Sequence, residues 1–130
     1  MNHKLTLGLY KECYGVCRLM PSESEGIPVW AFSSNFFSIT KTSDELSIVC
    51  LQDNIPEDIC CERDWRILKI EGTLDFSLIG ILSSISTILA HNKISIFAVS
   101  TYDTDYILVK DSDINNAVIA LKAEGYQINK

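Results

Sequence analysis

The chain is poor in the residues that most often carry catalysis. It has two histidines in 130 residues, and both suit a solvated surface: His3 lies beside the start of the sequence, and His91 at the end of a predicted helix. No Ser-His-acid set, glycine-rich phosphate loop or paired metal-ligand helix motif is present. Positive charge is also scarce. Eleven Lys and Arg stand against seventeen Asp and Glu, for a formal net charge of -6. A surface of that sign repels phosphate backbones and anionic headgroups, which excludes nucleic acid and membrane as expected partners. No apolar run approaches the roughly 18–20 residues needed to span a bilayer. The longest candidate, 79–90, is interrupted by Ser83, Ser84, Ser86 and Thr87. No charged-then-apolar leader precedes the alternating Leu5, Leu7 and Leu9, so a cytoplasmic location is expected.

Cysteine is present but not as a framework. The five residues Cys13, Cys17, Cys50, Cys60 and Cys61 are odd in number and match no zinc-knuckle spacing. Reduced, largely buried thiols are the expectation, and no metal or other cofactor is expected. Hydrophobic residues make up 47% of the sequence, enough for a real core.

The second half has the clearer pattern. A strand is expected over 65–70, with a break at Gly72-Thr73-Leu74-Asp75. The stripe Ile81, Leu82, Ile85, Ile88 and Leu89 has helical spacing. That helix should end at His91-Asn92-Lys93, with Asn92 taking a left-handed turn. A buried strand is expected over 94–99, a polar turn over 100–105 and another strand over 106–109. A second helix carries the stripe Ile114, Ala117, Val118 and Leu121, Gly125 caps it, and a short strand follows at 126–128. The order β-α-β-β-α-β builds an antiparallel sheet with both helices on one face.

The first half echoes this order with shorter helices. Strands are expected over 5–9 and 14–19, helical turns over 29–32 and 56–61, and a hairpin of 36–40 with 46–51 around Thr42-Ser43-Asp44. The implied organisation is α+β, two ferredoxin-like βαββαβ units in tandem, divided as 1–62 and 63–130. The count of strands is awkward: 65–70 is wanted by both copies, and 5–9 is surplus at the front. A terminal strand of one copy sitting in the sheet of the other resolves both.

At Asp75-Phe76-Ser77-Leu78-Ile79-Gly80-Ile81-Leu82, followed by Asn92-Lys93-Ile94-Ser95-Ile96, the sequence resembles the ACT-domain family. The stretch from Ile94 through Tyr102-Asp103-Thr104-Asp105 to Val109 is similar to the branch found in aspartate-kinase regulatory domains and in cytosolic arginine sensors. Phe36-Phe37-Ser38-Ile39-Thr40 resembles the first-copy hairpin of that branch. Two departures stand out: the usual Asp-x-Pro-Gly turn is replaced by four residues between Asp75 and Gly80, and Lys93 stands where glycine is usual.

The resemblance implies tandem ACT units that bind an amino acid at an interface between units, as a homodimer, with a regulated protein partner possible and no catalytic residues. The implied ligand residues are Asp75, Ile79, Gly80, Ile81, Ser100, Thr101, Tyr102, Thr104 and Asp105. Chemistry supports some of them. A glycine opening a helix exposes first-turn amides to a carboxylate, although close helix-strand packing explains a glycine equally well. Asp105 opens a strand, where Asp is depleted, and can accept an ammonium or guanidinium group. Residues 100–102 end a strand, where backbone groups run out of partners. Asp75 and Ser77 also suit helix capping, and Asp103 a solvated turn.

Competing readings share the β-α-β-β-α-β order. An acylphosphatase-type hydrolase needs an arginine-bearing anion loop, of which Arg18 is a faint echo. An RNA-binding module needs a basic, aromatic strand where Tyr106-Ile107-Leu108-Val109 stands. An interaction module without a ligand needs neither.

Overall fold

The computed structural model describes residues 5–21, 26–71 and 80–130. The chain folds into two compact units. One is Glu12–Trp65; the other joins the residues up to Lys11 to Arg66–Lys130. The division expected after residue 62 falls inside a ten-residue strand, Cys61–Ile70.

In the C-terminal unit, strands β1 (Thr6–Leu9), β5 (Cys61–Ile70, through its residues from Arg66 onward), β6 (Ile96–Ser100), β7 (Asp105–Lys110) and β8 (Gln127–Asn129) form a sheet in the order β6-β7-β5-β1-β8. Helices α1 (Ile81–His91) and α2 (Ile114–Ala123) complete the β-α-β-β-α-β order. The surplus front strand has its place here. β1 lies antiparallel to β5, with Leu7 opposite Ile70, and parallel to β8, with Leu7 opposite Ile128. Its alternation explains the insertion. Leu7 is fully buried, with Leu5 and Leu9 packed partly beside it, in the core that Ile85 and Leu89 of α1 and Ala117 and Leu121 of α2 share with the sheet. Gly8, on the other side of the strand, leaves room for Glu71, whose carboxylate an added Cβ would strike.

Both helices end in the same hydrogen-bonded motif. In α1, Ile94 N–H donates to the Leu89 carbonyl at 3.0 Å and Lys93 N–H to Ala90 at 2.9 Å. In α2, Tyr126 donates to Leu121 at 3.1 Å and Gly125 to Lys122 at 3.0 Å. This pattern demands a left-handed residue. Gly125 meets it at φ 98°, as expected. In α1 the residue is Lys93 at φ 61°, not Asn92, whose φ is -96°. The expected buried strand over 94–99 also needs correction. β6 runs Ile96–Ser100, pairs only with β7 among the described strands, and has no fully buried residue, as suits an edge strand.

The N-terminal unit contains β2 (Tyr14–Leu19), β3 (Ser38–Lys41), β4 (Leu46–Leu51) and the first residues of β5, in the antiparallel order β3-β4-β2-β5. Its core holds Cys17, Ala31, Leu46, Ile48, Cys50 and Ile55. No α-helix occurs among its described residues. The expected turn over 29–32 is a 3-10 turn, Val29–Phe32, with Ala31 buried. The helical turn expected over 56–61 is absent: Ile59 N–H reaches Pro56 at 3.3 Å, and Cys61 already belongs to β5. A second 3-10 turn, Gln52–Asn54, stands instead.

β5 begins four residues before the expected Trp65 because of a bulge that hides its alternation. Asp64 is left-handed, at φ 68°, and the register against β2 shifts between Tyr14 and Val16. Gln52 holds the bulge: its Nε2 donates to the Asp64 carboxylate at 3.0 Å, and its Oε1 accepts from the Asp64 N–H.

Candidate functional site

The glycine that opens α1 is conformationally required. Gly80 is the N-cap of α1 with φ 81° and ψ 12°, a region that L side chains enter at a cost of about 1–2 kcal/mol. Among the described residues nothing lies within 4 Å of where its Cβ would project. Close packing against the described residues therefore does not explain this glycine. The helical ladder starts with Ser84 N–H donating to the Gly80 carbonyl at 2.8 Å. Helix geometry leaves the amides of Ile81, Leu82 and Ser83 without an intrahelical acceptor. No side-chain hydrogen bond caps this end among the described residues. Open amides at a helix N-terminus favour an anionic group. Ile81 itself is half-buried and packs on the core.

The second group of expected site residues forms one hairpin. Ser100 ends β6 and pairs with Asp105, the first residue of β7. Between them the chain clasps itself. Thr101 N–H donates to the Thr104 carbonyl at 2.8 Å, Thr104 N–H donates to Thr101 Oγ1 at 3.0 Å, and the two threonine hydroxyls are in contact. This corrects the view that backbone groups here have run out of partners: those of Thr101 and Thr104 have each other. Tyr102 is 83% exposed, while Thr104 and Asp105 are half-buried.

The element order sets these two groups at one end of the unit. β5 leads into α1, α1 runs back, and β6 returns toward the end where α1 began, as a helical crossover requires. The hairpin Ser100–Asp105 and the Gly80 end of α1 thus share that end of the sheet. Asp75 and Ile79, and the capping candidate Ser77, lie outside the described residues.

Sequence reasoning missed two concavities. An open groove of ≈ 640 Å³ runs between α1 and α2, lined by Thr87, Ile88 and His91 on one side and Asn116, Ile119 and Ala120 on the other. Ile119 is 66% exposed there. A smaller depression of ≈ 220 Å³ in the N-terminal unit involves Glu12, Tyr14, Ser33, Ser34, Asn35 and Leu51. Residues from separate elements line each, two helices for the groove and three segments for the depression, and only folding brings them together. Two of the serines that interrupt the apolar run of α1 are used internally: Ser84 Oγ accepts from the Tyr126 hydroxyl at 3.3 Å, and Ser86 Oγ donates to the Ser83 carbonyl at 2.9 Å. No helix among the described residues is long and apolar enough to cross a membrane.

A β-α-β-β-α-β sheet with both helices packed on one core defines a ferredoxin-like module. The known proteins it matches agree. Residues 61–123 match the ACT-domain model, and residues 12–58 match the model of a separate N-terminal domain. Residues 61–123 are thus an ACT domain.

A crystal structure of an Agrobacterium tumefaciens protein is 39% identical, covers 98% of this chain and 93% of its own, and superposes with a TM-score of 0.90. The regulatory subunit of aspartate kinase from Thermus thermophilus shares the fold at 11% identity, with a TM-score of 0.64, over 93% of this chain and 98% of that one. The mouse (Mus musculus) protein named cytosolic arginine sensor for mTORC1 subunit 1 is 30% identical over 107 residues, 77% of this chain. The chain spans only 30% of that relative's length.

Proposed function

We propose that this protein is an amino-acid sensor: it binds an amino acid reversibly at an interface between ACT units, turns nothing over, and passes the bound state to a protein partner. The observation that carries the reading is Gly80, left-handed and exposed, with no described residue within 4 Å of where its Cβ would project and no side-chain cap on α1 among the described residues. The amides of Ile79, Gly80 and Ile81 would receive the ligand carboxylate. Thr101 and Tyr102 would add main-chain contacts, flanked by Ser100, Thr104 and Asp75. Asp105 would accept the ammonium group or a basic side chain. The mouse relative's name supports arginine as the first ligand to try.

Gly80, Ser100, Thr101 and Tyr102 are exposed in the single chain, and a small ligand bound on an open surface gains little from burial. A second ACT unit closing over the site supplies that burial. We therefore place the functional form as a homodimer in the cytoplasm, with the groove between α1 and α2 available for packing between copies.

A thermal-shift screen against the common amino acids tests the reading, since a ligand that binds only the native state raises the midpoint by mass action. One amino acid, or a small chemically related set, should raise it. Sedimentation should report a dimer with and without that ligand. No shift with any amino acid removes the sensor reading. It favours an assembly module instead, a reading to which the self-satisfied Thr101–Thr104 turn lends weight. The acylphosphatase-type alternative predicts hydrolysis that depends on Arg18.

A further inference from the structure

The N-terminal unit holds three of the five cysteines around one point. Cys17 of β2 and Cys61 of β5 are direct cross-strand partners. Arg18 N–H donates to the Cys60 carbonyl at 3.0 Å, which makes Cys17 and Cys61 a non-hydrogen-bonded pair of the antiparallel ladder. In such a pair the Cα atoms stand about 4.5 Å apart and the side chains lean together. That separation lies within the roughly 4.4–6.8 Å a disulfide requires. Cys61 lies close enough to raise the Cys17 pKa. Gly15 helps to place them. A Cβ added there would come within 2.6 Å of Cys61 Sγ, so the missing side chain is the space that the sulfur occupies.

We propose that Cys17 and Cys61 are a modification site, a dithiol that a hydroperoxide converts to an intramolecular cross-strand disulfide. Cys61 is the residue that meets the oxidant, because it is half-buried whereas Cys17 is 1% exposed. The Cys61 thiolate attacks one peroxide oxygen, the O–O bond breaks, and sulfenic acid forms with release of hydroxide or alkoxide. Cys17 sulfur then attacks the Cys61 sulfur, the S–O bond breaks, and the proton of Cys17 leaves with the hydroxyl as water. Two electrons pass from the two thiols to the peroxide. Burial first, then Cys61, raises the Cys17 pKa well above the usual thiol range, which keeps Cys17 protonated and leaves the first encounter with the oxidant to Cys61.

The third thiol is excluded by geometry. Cys50 stands opposite Gly15, whereas Cys17 stands opposite Ile48. Cys50 is therefore only a diagonal neighbour of Cys17, at about 7–8 Å. It is two strands from Cys61, about 9–10 Å at the usual strand spacing. Both separations exceed the roughly 7 Å limit for bridging without backbone movement.

The test uses the reduced full-length chain, treated with hydrogen peroxide and then blocked with N-ethylmaleimide under denaturing conditions. The mass of the monomer should fall by two hydrogens, and the number of alkylated cysteines should fall from five to three. Peptide mapping without reductant should join the peptides of Cys17 and Cys61, and dithiothreitol should restore all labels. Cys50→Ala and Cys60→Ser should leave the bond intact; Cys61→Ser should abolish it. The map of the unmutated chain decides the matter even where a variant fails to fold. Any other linkage, a disulfide-joined dimer, Cys61 advancing to sulfinic acid, or no loss of labelling overturns the proposal.

Discussion

Arg66 donates twice to the main-chain carbonyl of Tyr10, through Nε at 3.1 Å and Nη2 at 2.8 Å. Tyr10 directly follows β1, and its own N–H donates to the Ile67 carbonyl at 2.9 Å. One side chain thus fixes the end of the inserted strand to β5. The remaining guanidinium nitrogen, Nη1, reaches Asp111 at 3.2 Å, where the carboxylate is 53% exposed and the arginine 18%. The carbonyl contacts should outweigh that ion pair, because solvent screens an exposed carboxylate, whereas charge-assisted bonds at a largely buried guanidinium are worth about 1.5–3 kcal/mol. Arg66→Ala should lower stability by about 2–3 kcal/mol in urea unfolding, and Asp111→Asn by less than about 1 kcal/mol. Equal losses would show that the ion pair carries the contact.

Gly80→Ala separates binding from stability. The new Cβ meets no described atom, so the folding cost is confined to left-handed strain, about 1–2 kcal/mol. If the first turn of α1 holds the ligand carboxylate, affinity should fall about tenfold or more, because a β-carbon then stands where the ligand approaches the backbone. Unchanged affinity in calorimetry would move the site away from α1.

Asp105→Asn keeps shape and removes a charge. It should weaken a cationic ligand or group by about 1.5–3 kcal/mol while melting within a degree or two of the parent chain. Loss of stability without loss of binding would make Asp105 a residue of the hairpin ladder only, consistent with its pairing to Ser100.

Lys93 occupies the left-handed position that closes α1. Glycine there should gain about 0.5–1 kcal/mol, the relief of left-handed strain set against a more flexible unfolded chain and a lost favourable charge near the helix C-terminus. Denaturant titration checks the sign; a loss would mean that the charge or the stem of Lys93 outweighs its backbone strain.

Alkaline pH should weaken the N-terminal unit. Burial raises the Cys50 pKa from 9.0 to about 11, with Cys61 adding to the shift, and Cys17 is raised further for the same leading reason. The folded pKa exceeds the unfolded one, so this stability is complete below about pH 9 and is lost as pH rises toward 11. Each such group contributes a slope of about 1.4 kcal/mol per pH unit in that window. Stability measured from pH 8 to 10.5 should fall, and less steeply in Cys50→Ala. A slope unchanged by that substitution would show that Cys50 ionises as readily folded as unfolded.

The C-terminal half was legible because its signals are local. Helical spacing of Ile81, Ile85 and Leu89, the cap at Gly125 and β-branched runs each fix nearby dihedrals through a few neighbours, and the β-α-β-β-α-β order follows from them. Gly80 and the Ser100–Asp105 turn were marked by the family resemblance, with residue type agreeing at Gly80 and Asp105. Where the structure departs, a distant partner decided. The alternation of Leu5, Leu7 and Leu9 predicts a strand but not its neighbours, and only the shared core places it between β5 and β8. β5 starts early because Gln52, twelve residues from Asp64, holds a left-handed bulge that breaks the period-two pattern. β6 is half-exposed despite its apolar sequence because it has β7 on one side only. The facing of Cys17 and Cys61 is set by ladder register, a relation between strands far apart in the chain that no single segment encodes. Sequence periodicity fixes which face of an element is apolar; which element meets that face depends on closing long loops and on burial that only the assembled core provides.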